Sequence, residues 1–412
     1  MESIKIKPSK LNGKLLVPSS KSMSHRAIIC ASLSNEQTES VINNLAFSED
    51  INATISGMKK LGAEINLSES TACIKRNNII EHIPFIDCKE SGSTLRFLIP
   101  ISIILTDNCN FTGSDKLFQR PLDVYYDIFD NQHIRYEIKK SNTLEIKGKL
   151  SSGLFQIPGN ISSQFITGLL LALPLLDGNS KIIITGNFES KSYVDMTIDV
   201  MRKFGVNINR DNHTFNIQGR QKYINTTYNV EGDYSQAAFF LVANELGNDI
   251  ECLGLSVDSL QGDKEILNII EKFKNNKEIT IDASQIPDLI PIITVLAALK
   301  DNITTVITNA ERLRIKESDR LKAISNELNK LGANVMETKD GLIIQGKKIL
   351  RGNVAVNSWN DHRIAMSLAV AATKCEHEII LENYTAVKKS YPHFWKDYEN
   401  LGGTISEFNN RQ

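Results

Sequence analysis

Four times along the chain a helix end runs through a glycine into a strand: Met58-Lys-Lys-Leu-Gly-Ala-Glu-Ile65, Met201-Arg-Lys-Phe-Gly-Val-Asn-Ile208, Leu328-Asn-Lys-Leu-Gly-Ala-Asn-Val335 and, more loosely, Tyr398-Glu-Asn-Leu-Gly-Gly-Thr-Ile405. In the first copy Ile51, Thr54, Ile55, Met58 and Leu61 recur at helical spacing and bury one face, and Gly62 supplies the left-handed residue that stops the helix. Two degenerate copies, Val124 to Ile138 and Lys264 to Ile279, fall in the gaps. The glycine-equivalent positions, 62, about 135, 205, about 275, 332 and 402, lie roughly 60 to 70 residues apart, too far for a solenoid but right for a βαβαββ unit. Six copies in 412 residues predict two domains of three units each.

Charge narrows the partners. Lys plus Arg number 47 against 48 Asp plus Glu, a net charge of −1, so no global basic field exists to hold nucleic acid or an anionic membrane. An anion site must therefore be local. Cys30, Cys73, Cys88, Cys109, Cys252 and Cys375 form no C-x-x-C pair, which argues against a disulfide framework and a zinc site and for a reducing, cytoplasmic compartment. The start, Met1 to Lys21, has no apolar h-region, and the stretches Phe165 to Leu176 and Leu289 to Leu299 fall short of the roughly 18 residues a span needs. Neither a signal peptide nor a membrane span is expected.

Chemistry-bearing residues gather where apolar helices should begin. Pro18-Ser-Ser-Lys-Ser-Met-Ser-His-Arg26 precedes an apolar run to Leu33, and Glu90-Ser-Gly-Ser-Thr-Leu-Arg96 precedes Phe97 to Leu105. Arg120 stands before Pro121, and Ile161-Ser-Ser-Gln-Phe165 opens a run to Leu173. In the second half come Arg314-Ile-Lys-Glu-Ser-Asp-Arg320, Asn360-Asp-His-Arg363 and Val387-Lys-Lys-Ser-Tyr-Pro-His393. Free N–H groups and the helix dipole favour an anion at such positions. Each motif alone reads equally well as a capped helix with solvated charges. Together they point to an anion-binding cleft.

In register over nearly the whole chain, these motifs, with Asp233-Tyr-Ser-Gln-Ala237, Ile286-Pro-Asp288 and Lys389-Ser-Tyr-Pro392, resemble the 3-phosphoshikimate 1-carboxyvinyltransferases, or EPSP synthases. The resemblance implies a two-domain inside-out α/β barrel, each domain three βαβαββ repeats. Residues 14–229 would form the continuous domain, and residues 1–13 with 230–412 the discontinuous one. It also implies transfer of the enolpyruvyl group of phosphoenolpyruvate to the 5-hydroxyl of shikimate 3-phosphate, through a tetrahedral intermediate that expels phosphate. No cofactor or metal is implied, and a monomer is expected.

By the same resemblance Lys21 touches both substrates. Ser22, Arg26, Ser162, Ser163, Gln164, Ser190, Tyr193 and Lys316 look like shikimate 3-phosphate contacts, and Gly92, Arg120, Gln164, Arg320, Arg363 and Lys389 match the phosphoenolpyruvate side. Asp288 occupies the position of the proton acceptor beside shikimate 3-phosphate, and Glu317 that of a carboxylate close to the reacting methylene. A carboxylate among so many cations should have its pKa lowered, which favours Asp288 as base and leaves the acid unassigned.

Departures are Glu90, where the family usually has Asn, and Ser93, usually Thr; the Asn contact that some relatives make at the position of Arg312 is not carried over. Gly92 is the residue that glyphosate-sensitive members share, which implies a sensitive enzyme. Two other readings compete. A UDP-N-acetylglucosamine enolpyruvyl transferase usually has a cysteine where Asp115 stands, and the Ser162 to Phe165 and Arg314 to Arg320 patterns weigh against it. A non-catalytic phosphometabolite-binding protein on the same scaffold would not need Asp288 and Glu317 aligned with the cations.

Overall fold

A computed structural model of the chain describes residues 2–34, 38–77, 79–80, 82–139 and 142–408. They divide into two compact units, Ser19–Glu231 and a second that joins Met1–Pro18 to Gly232–Gln412. The dividing points lie at 18 and 231 where the resemblance implies 13 and 229. The shift at the first has a plain cause: Asn12–Leu16 pairs in parallel with Asp249–Leu253, and Val17 N donates to Leu253 O at 3.0 Å, so this strand belongs with the C-terminal half.

Among the described residues, five four-stranded sheets share one pattern, a parallel pair extended by an antiparallel pair, which is a hairpin in four of them. In one, Leu154–Pro158 runs parallel to Ser180–Thr185, with Ile157 opposite Ile184, and Thr214–Ile217 and Asn209–Asp211 complete it. In another, Ser3–Lys7 lies between Ile379–Glu382 and Thr404–Phe408, so the N-terminus closes the last unit. The strands alternate: in Ser180–Thr185, Ile182 and Ile184 are buried while Lys181 and Thr185 are exposed.

The glycines that end the repeated helices are left-handed, with φ of 90° at Gly62, 81° at Gly205, 95° at Gly332 and 94° at Gly402. In the degenerate copy after Val124 the left-handed stop is His133, φ 55°. The copy from Lys264 differs from the others. Helix Ile266–Asn275 leads straight into Glu278–Asp282, which pairs with Thr304–Thr308 of the next sheet, so among the described residues this unit has only the two-stranded sheet of Asn12–Leu16 and Asp249–Leu253 and lacks its hairpin. The second unit is therefore two full repeats and a shortened one.

Which helices lie inside follows from their composition. Gly92–Leu105 and Ser163–Ala172 are apolar nearly all round and buried along most of their length, as is Lys21–Leu33. Gly168 lets the first two meet: a Cβ there would collide with the Arg96 carbonyl oxygen and the Tyr125 hydroxyl. The other unit repeats this with Tyr234–Glu245, Ile290–Ala298 and His362–Ala372. Helices with one polar face, such as Glu49–Lys60, Lys191–Lys203 and Arg320–Lys330, cover the outside with the sheets. The motifs at Lys21, Gly92, Ser162, Asp233 and Asp361 begin buried helices, where polar groups are held against a hydrophobic core, and the Arg314 to Arg320 motif leads into the outer helix Arg320–Lys330. Among the described residues no helix is long and apolar enough to cross a membrane.

Candidate active site

In the unit Ser19–Glu231, helix Lys21–Leu33 starts with Lys21 itself, whose Nζ donates to Asp50 Oδ2 at 2.8 Å. Both side chains are largely enclosed. One turn on, Arg26 is buried and makes four donations: Nε to Thr197 Oγ1 at 2.8 Å, Nη1 to Ser22 O, and Nη2 to Tyr193 O at 3.0 Å and to Thr167 Oγ1 at 3.4 Å. Its plane also lies over the Phe97 ring, 5.3 Å from the centroid. Burial lowers its pKa to about 10, so it stays charged at neutral pH. Arg26 thereby ties Ser22 to Tyr193 and to two helices.

A buried chain of side chains joins three helices. His25 Nδ1 and Thr54 Oγ1 lie 2.7 Å apart, Thr54 Oγ1 and Thr94 Oγ1 another 2.7 Å, and Thr94 Oγ1 donates to Ser91 Oγ at 2.7 Å. Burial, with Lys21 and Arg26 adding to it, holds the His25 pKa well below its ordinary value, so the ring is neutral and serves the hydroxyl chain.

Ser91 caps helix Gly92–Leu105, accepting from Thr94 N at 3.1 Å. Arg96, buried in its second turn, donates to Gln164 Oε1 at 2.7 Å and to Pro121 O at 2.9 Å, and Gln164 Nε2 donates to Ser93 Oγ at 3.0 Å. The hydroxyl of Ser93 thus serves as acceptor in this link. The Arg120 guanidinium lies against Gly92, where a Cβ would stand 2.8 Å from Nη1. Ser162 caps helix Ser163–Ala172 by accepting from Gln164 N at 3.3 Å, and Ser163 is buried beside it. Ser190, left-handed at φ 51°, precedes helix Lys191–Lys203 one turn before Tyr193. Glu90 lines a groove of about 410 Å³ with Glu49, Asp87, Lys89, Thr112, Gly113 and Ser114.

The other unit concentrates charge. Arg320, 1% exposed, spreads its guanidinium over three carboxylates: Nε to Asp361 Oδ2 at 2.9 Å, Nη1 to Asp288 Oδ1 at 2.9 Å and Nη2 to Glu317 Oε2 at 2.8 Å. Arg363 takes the other Asp288 oxygen, Nη2 to Oδ2 at 2.8 Å, while its Nη1 donates to Ser235 Oγ at 2.6 Å. Asp361 caps the helix that carries Arg363, accepting from Arg363 N at 2.9 Å, and also accepts from Ser318 Oγ at 2.9 Å. Lys389 Nζ donates to Asn360 O at 2.6 Å.

Burial would raise the Asp288 pKa, but Arg363, Arg320 and Lys316 outweigh it and hold the carboxyl well below the usual range. Lys316, half-buried, is pushed down to about 7 by burial, with Asp288 opposing and Arg312 assisting. Burial would likewise lower the Arg320 pKa, but Asp361, Glu317 and Asp288 raise it above the ordinary value. Such a cluster can hold anions, and it can accept a proton once its carboxylate is released from the cations.

The structure therefore brings together Lys21, Ser22, Arg26 and Tyr193, then Gly92, Arg120 and Gln164, and separately Asp288, Lys316, Glu317, Arg320 and Arg363, with Lys389, at the end of the turn Tyr384–Lys389, bonded to the loop that precedes the Arg363 helix. Among the residues that hold these in place, Asp50 is not part of any motif read from sequence, whereas Arg96, Ser235 and Asp361 stand in the quoted motifs without a role assigned to them. Asp361 carried a signal, since it caps a helix just before Arg363.

Comparison with known proteins bears directly on this arrangement. The family model described as EPSP synthase (3-phosphoshikimate 1-carboxyvinyltransferase) matches residues 5–398. A protein of Clostridium novyi named 3-phosphoshikimate 1-carboxyvinyltransferase is 52% identical, covering 99% of each chain, and one of Clostridioides difficile with the same name is 49% identical over 99% of each. Among solved structures, EPSP synthase from Acinetobacter baumannii superposes with a TM-score of 0.82 at 22% identity, covering 99% of this chain and 100% of that one. The enolpyruvyl transferase NikO from Streptomyces tendae superposes with a TM-score of 0.80 at 14% identity, covering 99% and 98%. At those identities the two structures speak for the fold alone.

Proposed function

The chain belongs to the EPSP synthase family, and from that premise we infer how its residues serve the reaction. It is a 3-phosphoshikimate 1-carboxyvinyltransferase: it moves the enolpyruvyl group of phosphoenolpyruvate onto the 5-hydroxyl of shikimate 3-phosphate and releases phosphate. The hydroxyl oxygen bonds to C2 of phosphoenolpyruvate and loses its proton, while C3 gains one. The tetrahedral intermediate then loses phosphate from C2 and a proton from C3, which restores the double bond.

Both substrates are small polyanions, and the cations described above are assigned to them. Arg120, Arg320, Arg363, Lys389, Gln164 and the backbone at Gly92 take phosphoenolpyruvate; Ser22, Arg26, Ser162, Ser163, Gln164, Ser190, Tyr193, Asp288 and Lys316 take shikimate 3-phosphate. Lys21 serves both, as a compact ammonium on a flexible stem can. Arg26 keeps one N–H beyond its four donations, so its larger part is to position Ser22 and Tyr193.

One observation above all supports Asp288 as the proton acceptor: its two oxygens are shared between Arg320 and Arg363. Held so, it is a poor base. A substrate anion that draws those arginines to itself leaves the carboxylate less paired, and its pKa climbs toward the ordinary range. Binding of phosphoenolpyruvate and activation of the base are then one event. Glu317, bonded to the same Arg320, lies within reach of that exchange.

The protein is proposed to act in the cytoplasm as a monomer. The shared name of the relatives favours shikimate 3-phosphate over UDP-N-acetylglucosamine as acceptor. A phosphate-release assay with phosphoenolpyruvate and either acceptor tests this: release is expected with shikimate 3-phosphate, and release only with UDP-N-acetylglucosamine would reverse the assignment.

A further inference from the structure

Behind the cluster stands a carboxyl group that the reaction does not use. Asp263 lies in the turn Gly262–Glu265, 6% exposed, hydrogen-bonded to the Ser235 side chain. Ser235 is fixed at the start of helix Tyr234–Glu245, where its N donates to the capping Asp233 Oδ1 at 2.8 Å. Gln261 pins the turn to that helix: it accepts from Tyr234 N at 3.0 Å and donates to Gly232 O at 2.8 Å. Because the Ser235 oxygen accepts from Arg363 Nη1 at 2.6 Å, the hydroxyl proton is the one offered to Asp263. Arg363 then holds Asp288 through its other nitrogen at 2.8 Å.

We infer that Asp263 is a positioning residue for Arg363: through the Ser235 hydroxyl it anchors the guanidinium, and its charge sets how strongly that cation attracts phosphoenolpyruvate. The inference rests on the assignment of Arg363 to that substrate. Burial raises the Asp263 pKa to about 7, with Asp288 and Asp233 adding to the rise and Arg363 and the Ser235 hydrogen bond opposing it. The carboxyl therefore changes charge near neutrality. Ionised, it puts a second carboxylate one hydroxyl away from Arg363 and competes with the substrate; neutral, it leaves the cation to the substrate.

Asp263→Asn keeps the shape and removes the charge. With saturating shikimate 3-phosphate, KM for phosphoenolpyruvate should agree in variant and wild type within about twofold at pH 6, and at pH 8.5 the wild-type KM should exceed the variant's by about threefold or more, with kcat unchanged. A merely structural role would change KM by one factor at both pH values, and that result overturns the inference. Melting curves without substrate test the titration separately. A folded-state pKa raised above the unfolded value of about 3.9 means that wild type loses stability relative to the variant as pH rises to about 7. A melting difference that stays constant between pH 5 and 8 also overturns it. Asp263→Ser repeats both tests if the Asn variant does not fold. Wild type without turnover would remove the substrate assignment, and the melts would still decide whether Asp263 titrates.

Discussion

Gly92→Ala adds one methyl at the first residue of helix Gly92–Leu105 and changes little in the fold. Its Cβ would stand 2.8, 3.0 and 3.1 Å from Nη1, Cζ and Nη2 of Arg120. Ordinary contact needs roughly 3.5 Å or more, so the guanidinium must retreat by about half an ångström to 1 Å. It can, because it is the far end of a flexible side chain. The cost falls on binding. A charge-assisted hydrogen bond is worth about 1.5 to 3 kcal/mol, and losing about half of one raises KM for phosphoenolpyruvate by about 4- to 12-fold. Stability should hold or rise slightly, since Ala suits a helix better than Gly. Initial rates against phosphoenolpyruvate, with melting curves for both proteins, give the numbers, and the same substitution on Arg120→Lys isolates the cause. A KM within twofold of wild type, or an equal rise in the Arg120→Lys background, would refute the steric argument.

Lys21→Ala should abolish most turnover while circular dichroism stays unchanged; near-normal kcat/KM would remove Lys21 from the mechanism. Lys316, pushed down to about 7, loses its charge as pH rises, so KM for shikimate 3-phosphate should climb about tenfold per pH unit well above that value. Lys316→Arg, which stays charged, should flatten that climb, and an unchanged pH profile would contradict it. Glyphosate should compete with phosphoenolpyruvate, and Gly92→Ala should raise its inhibition constant by more than it raises KM; an equal rise in both would mean that the displaced Arg120 serves the two ligands alike.

The repeated architecture was legible because it depends on local physics. Gly62, Gly205, Gly332 and Gly402 end helices for a reason written in four-residue windows, and His133 does the same where glycine is missing. What the sequence hid lies in distant pairings. The missing hairpin after Ile266–Asn275 is invisible locally, because Glu278–Asp282 alternates like any strand and only its partner Thr304–Thr308 shows which sheet it joins. Arg96 shows the same limit within the site. It stands in a motif read as anion-binding, yet its donors go to Gln164 and to Pro121, 68 and 25 residues away. Ser235 and Asp263 carry no helix-start cation to mark them, and their meaning depends on Arg363, which the fold brings to them from 128 residues downstream of Ser235.

Transfer of the enolpyruvyl group is the central claim, and following its carbon tests it most directly. Wild-type enzyme is mixed with phosphoenolpyruvate labelled with carbon-13 at C2 and with shikimate 3-phosphate, and carbon-13 and phosphorus-31 spectra are recorded as the reaction runs. The labelled carbon should move to an enol ether attached to the 5-oxygen, with one inorganic phosphate formed for each ether, and Asp288→Asn should slow both together by about 100-fold or more. Phosphate appearing without the enol ether would make the protein a phosphatase and contradict the account.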